Sequence, residues 1–385
     1  MIRVLFDLFQ AQPTMDSKFH GGGEYIKTVY RCFIENYLNQ CSLIVFYDPS
    51  KFLDDWILKS FENKTILVKS ISSINEIQNI LDEESVDVFY SGLPYDYVTL
   101  NIPSSIIYCG TIHGLRGVEL PCDRFTYKYF EGRSLFKYWI KFKMKRVFKQ
   151  RSLEFYRKSI DRLDFVICVS YHTKYAIRSF YPHLNKKIEV FYTPEKFIES
   201  KKITQSREFQ NKYILLISSN RWEKNSFRAV TALDTLFNKG TLKEYKVVTI
   251  GKLPDKVWKP ICNKDRFICF DYVTSERLEN LYAYCDIFLY PTLNEGFGMP
   301  PLEAMKYGKT CIVSGVCSLP EVCGDAVYYC NPYDLDEIQN RVLMASEKKI
   351  SEDIIKKQLL KINCRQQEDL QRLCLAILHC HENRN

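Results

Sequence analysis

Short apolar runs alternate with amphipathic stretches along most of the chain. In the first half the runs IRVLFDLF, CSLIVFYD, VDVFYSG, SIIYCGTIHG and DFVICVS are rich in Val, Ile, Phe and Tyr, and several end in polar residues or Gly. In the second half KYILLISS, KVVTIGK, RFICFDYV, DIFLYPT and KTCIVSG repeat the pattern. Runs this short and continuous predict strands of buried parallel sheets. Between them EYIKTVYRCFIENYL and SERLENLYAYC carry apolar residues at helical spacing. Alternation of the two predicts an α/β chain with helices covering the sheets. The pattern restarts near Tyr213, after the polar stretch ESKKITQSREFQN, so a linker is expected at roughly 198–211. Two doubly wound domains of similar size follow. Ligands of such sheets lie beyond the carboxyl ends of the strands, and with two domains the expected site is the cleft between them. The closing stretch SEDIIKKQLLKINCRQQEDLQRLCLAILH reads as helix.

Composition narrows the class. A length of 385 residues exceeds one ordinary core, and 46% hydrophobic with 26% charged residues is the balance of a globular protein. No stretch is long and apolar enough to predict a membrane span. The first residues, MIRVLFDLFQAQ, contain Asp7 and no small-residue cleavage site, so they read as a first buried strand and a cytoplasmic location is expected. The 15 Cys are scattered without a CxxC pair, which fits reduced thiols. Cys311, Cys317, Cys323 and Cys330 have no usual zinc spacing and are expected to be small core residues. The net charge of +8 is uneven: residues 133–151 hold eight Lys or Arg and no acid, which points to a local anionic partner.

The stretch NEGFGMPPLEAMKYG, residues 294–308, carries the most chemistry. Glu295 and Glu303 are separated by two glycines and two prolines. Proline is tolerated in a first helical turn, so a helix is expected to begin near Pro300 or Pro301, with Glu295 in the loop before it. Glycines let backbone amides approach a ligand closely, and a helix start favours phosphate. Two carboxylates there suit an elongated ligand with hydroxyls at both ends and phosphate between, as in a nucleotide sugar. An ordinary loop with a capping glutamate is the competing explanation.

This stretch resembles the E-x7-E signature of family 4 glycosyltransferases, retaining enzymes of the GT-B fold, in which two Rossmann-like doubly wound domains face a central cleft. The likeness continues through SGVCSLPEVCGDAVYYCNPYD. It implies that Glu295 contacts the donor sugar at the catalytic centre, that Glu303 binds the ribose hydroxyls, and that amides around Gly296, Phe297 and Gly298 hold the donor. In SSNRWEKN, residues 218–225, Arg221 and Lys224 stand where the family carries its basic pair for the donor diphosphate, at a shorter spacing than in many members. Two such cations neutralise the charge growing on a leaving nucleoside diphosphate and can replace a metal, so no metal is expected. HGGGEY, residues 20–25, reads as a glycine loop between the first strand and first helix. In the family that loop borders diphosphate and acceptor, which makes Gly22 and Gly23 donor-binding candidates. His113, in TIHGLRG, is expected at a strand end near the donor sugar. The family pattern there is commonly His-Asp, whereas this chain has His113-Gly114. FDYVTSERLENLYAYCDIFLYPT resembles the segment that brackets the base, with the backbone near Val273 as the contact.

In the basic tract, Arg133, Lys137, Lys141, Lys145 and Lys149 recur at steps of four, which predicts one basic helical face. Leu135, Phe136, Trp139, Ile140 and Met144 would lie opposite, with Lys143 and Arg146 intruding. Such a helix suits an anionic membrane surface, a lipid-linked acceptor, or simply a solvated face over a packed one.

Together these readings predict an acceptor-binding domain over 1–200, a nucleotide-sugar domain over 201–365, and a last helix from 366 to 385 that crosses back to the first domain. The expected activity is a retaining, metal-independent transfer of a hexose, mannose favoured, in surface polysaccharide or lipopolysaccharide synthesis. The donor would be a GDP- or UDP-linked sugar and the acceptor a glycan or lipid-linked glycan, with no other cofactor and no nucleic-acid partner. A cytoplasmic enzyme peripheral to the inner membrane face fits these features. A nucleotide-sugar 2-epimerase of the same architecture is one alternative, though no added acid/base set is evident. A non-catalytic nucleotide-sugar-binding protein is the other.

Overall fold

In the computed structural model, residues 1–13, 20–120, 122–196 and 206–380 are described. Two parallel sheets account for the apolar runs. The first contains β1 (Ile2–Asp7), β2 (Cys41–Tyr47), β3 (Ile66–Ser70), β4 (Val88–Ser91), β5 (Ile107–Ile112), β6 (Phe165–Cys168) and β7 (Lys187–Val190), in the order β3-β2-β1-β4-β5-β6-β7. The second contains β8 (Lys212–Leu216), β9 (Tyr245–Ile250), β10 (Phe267–Phe270), β11 (Ile287–Tyr290), β12 (Thr310–Ser314) and β13 (Tyr328–Cys330), ordered β10-β9-β8-β11-β12-β13. Each sheet reverses direction of growth beside its first strand, the doubly wound arrangement, and helices bury its faces. Leu5, Phe6, Val88, Phe89 and Ile112 are fully buried in the first sheet, and Ile214, Val247, Leu289 and Ile312 in the second.

The sequence runs did not reveal β3, β7 and β13. All three are short sheet-edge strands and only partly buried, so none carries the long, fully buried apolar run that marks the central strands. Residues 198–205 of the expected linker lie outside the described residues, and 206–211 have no helix or strand.

The chain forms two units. Among their described residues, Met1–Leu115, Ser152–Glu199 and Asn363–Asn385 make the first, and Arg116–Arg151 with Ser200–Ile362 the second. Residues 116–151, expected in the N-terminal domain, therefore group with the second sheet. Specific contacts explain this. Arg228 forms a doubly bonded ion pair with Asp123 at 2.9 and 3.1 Å, and both side chains are almost fully buried. Tyr129 Oη lies 2.8 Å from Ser226 Oγ and accepts the Phe227 amide. Lys256 Nζ donates to the Phe130 carbonyl at 2.7 Å. The long last helix, Glu352–Leu378, begins in the second unit, where Gln358 donates to the Val322 carbonyl. From Asn363 onward it belongs to the first, where buried Asp369 accepts the Tyr192 amide and pairs with Arg365 and Arg372.

The basic tract does not form one continuous face. The helix Gly132–Lys143 ends at Met144, whose φ of −101° and ψ of 27° leave the helical region, and a second helix runs Lys145–Asp161. Lys145 and Lys149 therefore belong to a different helix from Arg133, Lys137 and Lys141. No helix of the described residues is long and apolar enough to cross a membrane.

The Asp123–Arg228 pair yields a stability prediction. Asp123→Ala strands a buried guanidinium, which costs about 3–5 kcal/mol. Replacing both partners by apolar residues (Asp123→Leu with Arg228→Met) should cost much less. Urea unfolding of the three proteins tests this, and a loss below about 1 kcal/mol for Asp123→Ala would mean that the pair does not anchor the segment.

Candidate active site

Strands β8 and β11 are parallel neighbours, paired Ile214 to Ile287. The loops leaving their carboxyl ends therefore emerge side by side. The first passes through Arg221 and a tight turn, Trp222–Lys224, into the helix Ser226–Asn238. Asn225 makes the corner in a left-handed conformation (φ 61°), a backbone state Asn tolerates better than most residues. Its Nδ2 ties the corner to the Pro291 and Pro332 carbonyls at 2.9 and 2.7 Å. The second loop carries Glu295 and turns at Gly298 (φ 103°) into the helix Met299–Met305. That helix starts one residue before the expected Pro300, with Pro300 and Pro301 in its first turn. A Cβ at residue 298 would come within 2.6 Å of Leu319 Cδ2, so both conformation and packing require glycine. Ser318 Oγ holds the loop by donating to the Phe297 carbonyl at 2.9 Å.

Lys224 Nζ forms an ion pair with Glu295 Oε1, and both side chains are nearly buried, at 10% and 12% exposure. The same carboxylate oxygen accepts from Tyr290 Oη at 2.6 Å and Thr292 Oγ1 at 3.1 Å. Lys224 also donates to Tyr290 Oη at 2.7 Å. Glu303, on the following helix, accepts from Tyr282 Oη at 3.0 Å. A row of rings joins the two glutamates: Tyr282 packs on Phe288 at 5.4 Å, and Phe288 stacks on Tyr290 at 5.6 Å. Burial, with the adjacent carboxylates adding to it, pushes both phenols far above their ordinary pKa, so both remain donors.

Sequence reasoning missed Glu223 and Arg116. Arg221 Nε and Nη2 reach Glu223 Oε1 at 2.9 and 2.5 Å, and Arg116 Nη1 reaches the same oxygen at 2.6 Å. Burial alone would raise the Glu223 pKa, yet the two guanidinium groups outweigh it and hold the carboxyl below its usual value. Both arginines are about half exposed, at 49% and 50%. Arg221 and Lys224 are thus not two open cations, because each has a carboxylate partner. The only sequence signal was an acid placed between two cations in RWEK. Val273 has a buried side chain and sits just before Thr274, which caps the helix Ser275–Tyr284, so only its backbone is placed for contact.

One expectation changes in the first unit. The HGGGEY glycines are not a loop: Gly22 and Gly23 lie in the first turn of the helix Gly21–Asn36. His20 caps that helix, its Nδ1 accepting the Gly23 amide at 3.1 Å. A Cβ on Gly22 would strike Leu93, and one on Gly23 the Ala11 carbonyl, so close packing accounts for both glycines. His113 follows β5 as expected. Its Nε2 lies 2.9 Å from the Gly92 carbonyl, which can only accept, so that nitrogen carries the proton and Nδ1 is left with a lone pair. Burial lowers its pKa to about 4, partly opposed by the Gly92 bond. The ring is neutral at ordinary pH, fit to accept a hydrogen bond rather than supply a proton. In the second unit, Cys311, Cys323 and Cys330 are core residues, but Cys317 is only half-buried. It adopts a left-handed conformation and contacts Asn294 Nδ2 at 3.2 Å.

Residues 198–361 match the family model described as glycosyl transferases group 1. The chain carries a glycosyl transferases group 1 domain. That match spans Arg221, Lys224, Glu295 and Glu303. The chain is 42% identical over 79 residues to the serotype-specific mannosyltransferase WbdA of Escherichia coli, covering 20% of this chain and 9% of that one. It is 47% identical over 74 residues to the O-antigen chain mannosyltransferase B of Escherichia coli, covering 19% of each. The O-antigen chain mannosyltransferase RfbU of Salmonella typhimurium is 26% identical over 193 residues, covering 48% of this chain and 52% of that one. The matches therefore span about half or less of these relatives. Among solved structures, sucrose-phosphate synthase from Thermosynechococcus elongatus superposes with a TM-score of 0.64 at 12% identity, covering 99% of this chain and 98% of that one. WaaG, a glycosyltransferase involved in lipopolysaccharide biosynthesis, gives 0.60 at 14% identity with both chains fully covered. The fold is GT-B, built from two Rossmann-like parallel-sheet units.

Two predictions follow from the group 1 domain and its partner unit. Gly298→Ala should lower stability by about 1–3 kcal/mol through left-handed strain and the Leu319 contact, measured by urea unfolding. A cost near zero would mean that the loop relaxes freely. The His113 imidazole should titrate near pH 4 by NMR. Because its folded pKa lies below the unfolded value near 6.5, its contribution is full above that pH and is lost as pH falls toward 4, by about 3 kcal/mol in all. A midpoint near 6.5 would show a solvated ring.

Proposed function

We propose that this chain transfers a hexose, with mannose favoured, from a nucleoside diphosphate sugar to a glycan or lipid-linked glycan, retaining anomeric configuration and using no metal. The observation that carries this reading is the pair of fixed carboxylates flanking the Gly298 turn, Glu295 on Lys224 and Tyr290, and Glu303 on Tyr282. Mannose is favoured because the similar O-antigen chain proteins are named mannosyltransferases.

In this reading Glu303 accepts hydrogen bonds from the donor's ribose hydroxyls, and Glu295 accepts from the sugar's. Glu295 positions the sugar and does not attack it: one of its oxygens already takes Lys224, Tyr290 and Thr292, which lowers its nucleophilicity. The amides of Gly296, Phe297 and Gly298, with Lys224 and Arg221, stabilise charge on the leaving diphosphate. The acceptor hydroxyl attacks the anomeric carbon from the face the phosphate leaves. The new C–O bond forms as the C–O bond to phosphate breaks, and the departing phosphate oxygen takes the acceptor's proton. His113 supplies a neutral Nδ1 acceptor for a sugar hydroxyl.

The test is calorimetric titration with GDP-mannose, UDP-glucose, UDP-galactose and UDP-N-acetylglucosamine in EDTA, followed by turnover on a lipid-linked glycan. One donor should bind, and Glu303→Ala should weaken it roughly 10- to 100-fold, the worth of a lost charge-assisted hydrogen bond. Glu295→Gln should bind that donor but turn over about 100- to 1,000-fold more slowly. Full turnover by Glu295→Gln would remove its assigned role. Donor consumption without acceptor, yielding an epimer, would favour the epimerase, and tight binding without turnover a binding protein.

A further inference from the structure

The helix Gly132–Lys143 buries only one side chain, Tyr138. Its apolar residues were expected to pack inward if the tract were an ordinary solvated helix, yet they face out. Phe136 is 68% exposed, Trp139 43%, Ile140 38%, Met144 46% and Val147 42%. Phe136 and Ile140 lie one turn apart on one side of this helix, while Met144 stands at the break and Val147 in the first turn of the next helix. Lys137 and Lys141 each follow one of that pair by a single residue, so cations flank the exposed apolar side chains on this helix, and Lys145 opens the next helix. No acid occurs between Glu131 and Glu154. Trp139 is steadied by Tyr127, stacked at 5.9 Å, and by Phe142 edge-on at 6.0 Å.

Where the two helices meet, a pocket of about 420 Å³ opens in the second unit. Arg124, Phe125, Phe142, Lys145, Arg228 and Tyr333 contribute to its wall. Asp123 neutralises Arg228, but Arg124 and Lys145 have no carboxylate partner among the described residues. The pocket therefore keeps an excess of two positive charges beside aromatic walls.

We propose that this face seats on an anionic lipid bilayer. Phe136, Trp139 and Ile140 enter the headgroup–acyl boundary, the flanking lysines contact headgroups, and the pocket between Arg124 and Lys145 takes one lipid phosphate. Charge complementarity and the exposed apolar side chains together select this occupant. A nucleic acid would satisfy the cations but leave Ile140, Met144 and Val147 in water. A free phosphate would use the pocket and leave the exposed apolar side chains without a role. The proposal is independent of which sugar the domain moves.

Flotation of the full chain with vesicles tests it. Partition onto phosphatidylcholine vesicles containing phosphatidylglycerol should exceed that onto phosphatidylcholine alone by about tenfold and fall with added salt. Phe136→Ser with Trp139→Ser should lose binding to the anionic vesicles, whereas Phe136→Leu with Trp139→Phe should retain it, both melting as the wild type does. Arg124→Gln with Lys145→Gln should reduce the preference for anionic over neutral vesicles. Equal partition onto both vesicles, no binding to either, or undiminished binding by the serine variant would each overturn the proposal. So would tight binding of soluble glycerol phosphate or a DNA duplex by a chain that ignores vesicles.

Discussion

The Lys224–Glu295 pair is the constraint on which the second unit's site depends. It joins loops from two adjacent strands, β8 and β11, and it does so almost out of water. A buried ion pair repays its desolvation only with good geometry and further hydrogen bonds. Tyr290 supplies these from inside the sheet, reaching Lys224 and Glu295 together. Around that triad the rest is ordered. Asn225 fixes the lysine's corner against two carbonyls, Thr292 braces the carboxylate, and Ser318 pins the loop that Gly298 then bends into its helix. A carboxylate so thoroughly partnered is held in place, which suits orientation of a ligand better than covalent attack.

The ring row Tyr282, Phe288, Tyr290 gives the eight-residue separation of the glutamates a physical meaning. Each phenol ends on one carboxylate, and Phe288 of β11 stands between them. The distance between Glu295 and Glu303 is thus set by packed aromatic side chains of a strand and a neighbouring helix, not by the flexible-looking glycines and prolines of the spacer. Those residues serve the backbone: Gly298 allows the turn, and the prolines preset the first turn of the helix that carries Glu303.

The sequence made central strands legible because burial on both faces writes itself as an uninterrupted apolar run, as in FVIC of β6 or IFLY of β11. Edge strands such as β7, KIEV, mix charged and apolar residues because one side meets water. The same limit applied to chemistry. Glu295, Glu303 and Lys224 lie in recognisable motifs, whereas the place of Glu223 between two guanidinium groups depends on Arg116, over a hundred residues away, folding onto it beside Arg221. The glycines at 21–23 looked like a loop because glycine disfavours helix interiors. In the first turn that penalty is small beside the clashes a side chain would make with Leu93 and Ala11. Spacing of four along residues 133–149 suggested one face, but the break at Met144 is a conformational event that no residue type announced.

Charge accounting then separates two uses of cations in the second unit. Around Glu223 and Glu295, three cations, Arg116, Arg221 and Lys224, meet two carboxylates, leaving one surplus positive charge. That balance keeps the unliganded site stable while leaving half-exposed guanidinium faces on Arg116 and Arg221 with unspent donors. An arriving dianion would meet donors already oriented by Glu223, with little side-chain entropy left to lose. The tract at 133–151 is built on the opposite plan. Its cations have no acids among them in sequence, and its apolar side chains are outside rather than in the core. A site that must bind and release a small anion benefits from internal counter-charges, because they limit how tightly it holds its product. A surface that must stay on an extended anionic sheet gains from having none, since each added contact lengthens its residence. On the functions proposed for them, the two arrangements suit two different kinds of partner, one small and exchanged, the other broad and retained.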